Sequence, residues 1–292
     1  MQSLTSTRTR TGALAAGAAV LLALSACTPA SPPSSTAPSI ELSDKALPSG
    51  HVHGLSVNDD TSQILLATHD GLFDVTKQPA SKIGGTNDLM GFTAGKDGIF
   101  YASGHPGPGS DLPNPLGLIK STDGGQTWEK LSRQGESDFH ALTTSKSGII
   151  AFDGQLRSSP DGTTWNTVAA MFAPASLAGH TDSDTVLGTT TEGIQRSTDG
   201  GATWKLLQTG PVIQYAAFAA PEEAAGVAPD GTTYYSADAG ATWTKKGRID
   251  GEVLAIAALK GADGNPWIWA ATPEGIVVST DGGTSYRPAD AA

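Results

Sequence analysis

The chain has 292 residues, with 18 Lys and Arg against 29 Asp and Glu, which gives a formal net charge of −11. A length near 300 residues is enough for one large domain or two ordinary ones, each with a buried core. The acidic balance argues against a nucleic-acid-binding protein, which usually presents a basic face, and the single cysteine excludes both an internal disulfide framework and a zinc site built on thiolates.

Residues 1–27 predict a secretion signal with a lipid attachment site. Arg8 and Arg10 precede an apolar run over residues 12–26, which is shorter than the ~20 residues needed to cross a bilayer and fits the apolar core of a signal peptide. The run ends in Leu-Ser-Ala-Cys, which resembles the lipobox of bacterial lipoproteins. The resemblance implies that Cys27 becomes the lipidated first residue of the mature chain. An ordinary signal peptide with an incidental cysteine is the alternative.

Residues 28–50 predict a disordered tether. They combine five prolines with many Ser and Thr residues, and such a segment cannot bury enough apolar surface to fold. We expect the tether to hold a domain of residues 51–292 at the extracytoplasmic face of the cell membrane. The lipid alone would provide the anchor, because a net-negative domain has no general attraction for anionic lipid headgroups.

A short motif recurs through the domain. Ser-Thr-Asp-Gly-Gly-Gln-Thr-Trp at residues 121–128 returns in related form at residues 197–204 and 236–243, with Tyr for Trp at 279–286, and one residue shorter at 159–165. The repeated aspartates, at intervals of 38, 38, 39 and 43 residues, are Asp123, Asp161, Asp199, Asp238 and Asp281. A steady period near 40 residues is typical of a repeat architecture.

This motif resembles the Asp-box, or BNR repeat, of sialidase-like β-propellers, a group in which glycosyl-hydrolase labels are common. The resemblance implies that each box joins the third and fourth strands of a four-stranded blade, and that ligands bind the face opposite the boxes. Asp and Ser side chains hydrogen-bond within such a turn, glycine takes its left-handed position, and the terminal aromatic residue packs between blades. We therefore interpret the five aspartates as structural.

Alternating segments such as residues 140–144 and 148–152 precede the boxes and predict half-buried strands. We expect an all-β, six-bladed propeller, because a closed ring of blades leaves only short strand edges. The first blade has strands but no Asp-box. The predicted blades span residues 51–86, 87–135, 136–172, 173–209, 210–249 and 250–292.

Five of the six histidines fall on the predicted ligand face of blades 1 to 3. They lie at blade openings or in second-to-third strand turns, and they are His51, His53, His69, His105 and His140. His180 falls on the opposite face. Aligning the blade openings places His53, Met90 and His140 at equivalent positions around the axis, while His51 and His53 face together because residues i and i+2 of a strand point to one side.

This histidine group favours a transition-metal site. Imidazole suits zinc, copper, nickel and iron, and a thioether favours reduced copper. We predict a copper or zinc site whose ligands are His51, His53, Met90 and His140, with His69 or His105 as further donors. A ring of hydrogen-bonded polar side chains around a wet axial channel is the alternative.

Other residues complete the predicted ligand face. A long loop of blade 2, residues 104–115, contains four prolines, and we expect it to cover the axial pocket; a tolerated surface loop is the alternative. The remaining predicted ligand-face residues are Asp111, Asp138, Tyr215 and Glu252.

The resemblance implies a protein that binds or cleaves glycans. The histidine group supports a second interpretation, a metal-binding module. Active sialidases grip a carboxylate with three arginines, whereas the arginines after residue 27 are scattered over box flanks, interblade loops and a third strand: Arg133, Arg157, Arg196, Arg248 and Arg287. We favour a module that binds a glycan, a metal or an envelope protein. The alternative is a glycosyl hydrolase that uses two carboxylates, from among Asp70, Asp88, Asp111, Asp138, Glu192 and Glu252.

Overall fold

The computed structural model describes residues 47–48, 51–58 and 61–289. The predicted signal peptide (1–27), its Cys27 and, apart from residues 47–48, the predicted tether (28–50) lie outside the described residues. Within the described ranges, no helix has the length and apolar character needed to cross a bilayer.

Within the described residues, twenty-four strands form six four-stranded sheets, each made of consecutive strands that pair in antiparallel order. The innermost strands are β1 (Val52–Val57), β5 (Asp88–Ala94), β9 (Ala141–Ser145), β13 (Ser176–Gly179), β17 (Tyr215–Ala220) and β21 (Ala255–Lys260). The second strands are β2 (Ile64–Thr68), β6 (Phe100–His105), β10 (Gly148–Phe152), β14 (Val186–Thr190), β18 (Glu223–Val227) and β22 (Pro266–Thr272). The third strands are β3 (Gly71–Asp74), β7 (Leu118–Ser121), β11 (Leu156–Ser159), β15 (Gly193–Ser197), β19 (Thr232–Ser236) and β23 (Gly275–Ser279). The outermost strands are β4 (Ser81–Ile83), β8 (Glu129–Ser132), β12 (Asn166–Thr167), β16 (Lys205–Leu206), β20 (Thr244–Arg248) and β24 (Arg287–Pro288).

Neighbouring blades pack face to face around a central axis. The innermost strands contact one another in ring order, and β21 contacts β1 to close the ring. Every residue of β2 is buried, because apolar layers cover both faces of the inner strands. The crowding is tightest near the axis, where a Cβ added at Gly91 would lie 2.3 Å from the carbonyl oxygen of Phe139. The prediction of an all-β, six-bladed propeller is confirmed.

The Asp-box turns join the third and fourth strands of blades 2 to 6. In the first box, the Ser121 hydroxyl donates to Asp123 at 2.8 Å and accepts from the Gly125 amide at 2.8 Å. The backbone amide and hydroxyl of Thr127 both donate to the Asp123 carboxylate. These hydrogen bonds hold the pKa of Asp123 at about 2, below its ordinary value of 3.8. The carboxylate thereby serves as the acceptor that orders the turn.

The aromatic residue that ends each box packs against the preceding blade. Trp165 of blade 3 shows this most directly, because its indole nitrogen donates to the Ser132 hydroxyl of blade 2 at 2.8 Å. Its ring centroid also lies 4.9 Å from that of Phe139. The rings of Trp204 and Trp243 pack into the next two interfaces, while their indole nitrogens donate to the Gly201 and Gly240 carbonyls of their own boxes. Each box therefore ties its own turn to the interface between two blades.

Candidate functional site

The two faces of the ring carry different loops. The Asp-box turns lie on one face, and the blade openings and second-to-third strand turns lie on the other. Strand β1 pairs with β2 so that Val52 lies opposite Thr68, and the His69 amide donates to the His51 carbonyl at 3.3 Å. This pairing places His51, His53 and His69 on the face opposite the boxes. His180 lies between β13 and β14, on the box face. We call the face opposite the boxes the ligand face.

A cavity of about 270 Å³ runs along the axis and is lined by the innermost strands of all six blades. His53, Met90, His140 and Tyr215 contribute to its lining. Burial, with the nearby negative charge of Glu252, raises the pKa of Tyr215. The other predicted ligand-face residues do not line this cavity, namely His51, His69, His105, Asp111, Asp138 and Glu252.

Asp88 is the centre of the first histidine cluster. His69 Nδ1 lies 2.7 Å from Asp88 Oδ2, and His53 Nε2 lies 3.7 Å from Asp88 Oδ1. The rings of His51 and His53 both meet the ring of His69 edge-on, with centroid distances of 4.8 and 4.5 Å. One ligand atom from each of His53, His69 and Asp88 can be chosen so that all three lie within 4.8 Å of one another. These three side chains form the first cluster.

Two ligand atoms of the first cluster are buried without a hydrogen-bond partner among the described residues. They are His53 Nε2 and Asp88 Oδ1, on side chains that are 16% and 17% exposed. Leaving one such polar atom unsatisfied costs about 1–3 kcal/mol. Burial lowers the pKa of His53, and the neighbouring His69 lowers it further. Both effects favour the uncharged imidazole, which is the form in which a histidine binds a metal.

A backbone irregularity helps to position His53. The pairing of β1 with β2 shifts register between Val52 and Gly54, so His53 is the extra residue of a β-bulge. A corresponding shift occurs in β5 between Asp88 and Gly91. Bulges of this kind bend a strand and redirect its side chains. The two bulges fall at equivalent points of neighbouring blades, at the mouth of the axial cavity.

Asp138 is the centre of a second cluster. His140 Nε2 lies 2.7 Å from Asp138 Oδ2, and His105 Nε2 lies 3.2 Å from the same oxygen. The other nitrogen of the His105 ring, Nδ1, lies 2.8 Å from Asn114 Oδ1. Asp138 Oδ1 is buried without a hydrogen-bond partner. His105, Asp138 and His140 form the second cluster.

The loop of residues 104–115 positions His105 and does not line the axial cavity. Its Gly107 amide donates to Asn87 Oδ1 at 3.1 Å, and Leu112 packs against the core between blades 1 and 2. A Cβ added at Gly107 would lie 1.4 Å from the Thr86 carbonyl oxygen, so the loop is seated directly on the chain that leads into blade 2. The loop is ordered by these contacts and carries Asn114 beside His105.

The grouping of side chains differs from the ligand set expected from sequence. The expected set was His51, His53, Met90 and His140, whereas the structure gathers His53 with His69 and Asp88, and His140 with His105 and Asp138. The sequence predicts Asp88 only as a hydrolytic carboxylate. The alignment that matches Met90 with His140 also matches Asp88 with Asp138, two residues earlier, and this was the available signal. Of the six candidate carboxylates, the remaining four are exposed: Asp70, Asp111, Glu192 and Glu252.

Three of the five arginines after residue 27 make contacts that support the blades. Arg157 Nε donates to both oxygens of Asp153, at 3.0 and 2.9 Å, and Arg133 lies 3.8 Å from the same carboxylate. Arg196 donates to the Ala239 carbonyl in the neighbouring blade at 2.8 Å. These three guanidinium groups therefore support blade structure, and no ion pair links them to either histidine cluster within the described residues.

Comparisons with known proteins agree with this architecture. The family model described as BNR/Asp-box repeat matches residues 119–130 and 195–206. No curated protein matches the sequence. The propeller resembles a GH74 enzyme from Niastella koreensis at 15% identity and a TM-score of 0.50, over 81% of this chain but only 38% of that enzyme.

Two similar structures match along most of their own length. YCF48 bound to D1 peptide is 14% identical with a TM-score of 0.52, over 83% of this chain and 82% of the other. Virginiamycin B lyase from Staphylococcus aureus is 15% identical with a TM-score of 0.53, over 84% and 85%. Likenesses at this identity establish a shared fold alone. The chain is a six-bladed β-propeller that carries BNR/Asp-box repeats.

Proposed function

We propose that this propeller is a metal-binding module whose site consists of His53, His69 and Asp88 and takes zinc or copper(II). The observation that carries the proposal is the pair of unsatisfied buried atoms, His53 Nε2 and Asp88 Oδ1, which face each other at 3.7 Å beside His69. A divalent ion bound by both atoms would remove both desolvation penalties at once.

The chemistry of the three donors supports this class of metal. Two imidazoles and one carboxylate suit zinc and copper(II), whereas magnesium and calcium prefer sites built from oxygen alone. Three protein ligands also leave one position open on a four-coordinate zinc ion, where water or a further ligand binds. The site lies at the mouth of the axial cavity, since His53 belongs to both.

Metal content measured on untagged protein tests the proposal. The protein is stripped with a chelator, reconstituted with zinc or copper(II), and assayed for bound metal and affinity. We expect His53→Ala and His69→Ala to lower the affinity of this site by at least about tenfold. His180→Ala, which removes the histidine on the opposite face, is the matched control and should change nothing. Fewer than about 0.1 equivalents of either metal in the wild type would refute the proposal.

A hydrolase that uses two carboxylates is the second candidate. Asp88 and Asp138 support it, because both open blades on the ligand face and each keeps one buried oxygen without a hydrogen bond. A panel of glycoside substrates provides the test. Turnover that disappears in Asp88→Asn and Asp138→Asn, but survives in Asp111→Asn, would favour this candidate. The GH74 likeness adds no weight beyond the fold.

We also propose that the propeller is displayed on the outer side of the cell membrane through a lipid on Cys27. The support is the sequence pattern of residues 1–27 followed by the Pro- and Ser-rich segment. Labelling cells with a fatty-acid analogue tests it. The wild-type protein should become labelled and sediment with membranes, whereas Cys27→Ser should lose the label. Equal labelling of the two proteins would count against the anchor.

A further inference from the structure

Two of the three side-chain positions of the first cluster recur in the second cluster, one blade further around the ring. In the first, Asp88 at the opening of blade 2 meets His69 from the second-to-third turn of blade 1. In the second, Asp138 at the opening of blade 3 meets His105, the last residue of the second strand of blade 2. A carboxylate at a blade opening and a histidine at the end of a second strand therefore meet at two successive blade interfaces.

The third donor of each cluster comes from the rim of the axial cavity. His53 supplies it in the first cluster, and His140, which follows Asp138 by two residues, supplies it in the second. His53 and His140 both line the cavity, and Met90 lies at the equivalent position of the intervening blade. Each cluster thus contains two imidazoles and one carboxylate, and no side chain belongs to both.

We propose that His105, Asp138 and His140 form a second metal site, so that the ligand face holds two transition-metal ions. This inference rests on the proposed function for the class of metal alone, because its donor atoms are all different. Both Nε2 atoms converge on one carboxylate oxygen, while the other oxygen, Asp138 Oδ1, is buried without a partner. A cation bound by the two Nε2 atoms would lie against Asp138 Oδ2, and bidentate coordination by the carboxylate would also engage Oδ1.

The surroundings of His105 match those of a metal ligand. A histidine that binds a metal through one ring nitrogen almost always directs its other nitrogen to a carbonyl or carboxylate oxygen, which fixes the ring. His105 Nδ1 meets the Asn114 side-chain oxygen at 2.8 Å, which leaves Nε2 directed at Asp138. Asn114 is therefore a positioning residue, and the anchored loop of residues 104–115 holds both partners in place.

Zinc stoichiometry tests the second site. The untagged, chelator-stripped protein is titrated with zinc chloride, and bound zinc is counted by elemental analysis. We expect the wild type and the His180→Ala control to bind two equivalents. His105→Ala and His140→Ala should each bind one, His53→Ala should also bind one, and the double variant His53→Ala/His140→Ala should bind none.

Asn114→Ala provides a variant that keeps all three donors. It should lower the affinity of the second site by about 10- to 100-fold and leave the first site unchanged. This readout holds even if His105→Ala fails to fold, which circular dichroism would show. A merely structural role of Asn114 would lower the melting temperature without a selective change in zinc affinity, and that result would overturn its assignment.

The outcomes separate the two proposals. If the wild type binds one equivalent and His105→Ala and His140→Ala leave it in place, the second site is wrong and the proposed function stands. If the wild type binds one equivalent, and His105→Ala and His140→Ala lose it while His53→Ala keeps it, the second site stands and the proposed function fails. If the wild type binds none, both are wrong.

Discussion

His69 and Asp88 belong to different blades, yet His69 Nδ1 lies 2.7 Å from Asp88 Oδ2. The contact spans the interface between blades 1 and 2, and it leaves the other oxygen of Asp88 facing His53 at 3.7 Å. The carboxylate is thus held by one imidazole and presented to another. A site built across a blade interface depends on the ring being closed and rigid at that point.

Asp88→Asn should weaken the first metal site selectively. The amide keeps the size of the side chain but removes the negative charge and one acceptor oxygen, so we expect zinc affinity at this site to fall by at least about tenfold. Isothermal titration measures the change. Asp111→Asn is the matched control, because Asp111 is an exposed acid of the same face. Equal affinities in the two variants would contradict the role assigned to Asp88.

Gly107→Ala should unseat the loop that carries His105. The new Cβ would lie 1.4 Å from the Thr86 carbonyl oxygen, so the backbone must move, and we expect a loss of about 1–3 kcal/mol in the free energy of unfolding. Zinc affinity of the second site should fall with it. Denaturant titration and calorimetry measure the two effects.

Gly85→Ala is the control for the loop prediction. An added Cβ at Gly85 meets nothing within 4 Å, and Gly85 lies only two residues from Asn87, the partner of Gly107. We expect its free energy of unfolding to stay within about 0.5 kcal/mol of the wild type. A comparable loss in both glycine variants would show that the tight contact at Gly107 is unimportant.

Much of the fold could be predicted from sequence because the Asp-box is a local device. Its serine, aspartate and glycine satisfy one another within five residues, as Ser121, Asp123 and Gly125 do, so a short motif indicates the same turn wherever it occurs. The blade count followed from the spacing of the boxes and from the strand pattern of blade 1, which has no box.

The grouping of side chains in the candidate site could not be predicted because it depends on contacts between blades. His69 and Asp88 are 19 residues apart and belong to different sheets. The bulge at His53 changes the direction of a side chain without any mark in the sequence pattern. The prolines of the loop at residues 104–115 predict a cover over the axial pocket. In the structure, Leu112 instead packs against the apolar layer between blades 1 and 2, which holds the loop away from the axis.

Acid should destabilise the propeller below about pH 4. Hydrogen bonds from Thr127 hold the pKa of Asp123 at about 2. For Asp281, burial raises the pKa, but hydrogen bonds from Ser285 and Ser279 lower it by more, and the pKa is about 2. A carboxylate whose pKa is depressed on folding stabilises the protein above its unfolded value of 3.8, and this contribution is lost as the pH falls toward 2. Melting temperatures between pH 7 and pH 2.5 measure the loss.

Asp123→Asn and Asp281→Asn test the origin of this acid sensitivity. Each variant should melt at a lower temperature than the wild type at pH 7, because its box loses a charged acceptor. Each should also lose less stability between pH 4 and pH 2, since one titrating group has been removed. Asp111→Asn, whose carboxylate lies outside every box, should follow the wild-type curve. If the box variants followed it as well, other carboxylates would control the acid transition.

Trp269 packs in the interface that closes the ring. Each blade is completed by its own four strands, so packing between blades 6 and 1 must close the ring, and Trp269 lies in that interface with Val57, Leu66 and Ala257 at 8% exposure. Trp269→Ala should cost about 3–5 kcal/mol in the free energy of unfolding, since it removes a buried aromatic side chain. Trp267→Ala, on the same strand but only partly buried at the edge of the same cluster, is the comparison variant and should cost clearly less. Denaturant titration measures both, and equal losses would mean that the interface is closed by other contacts.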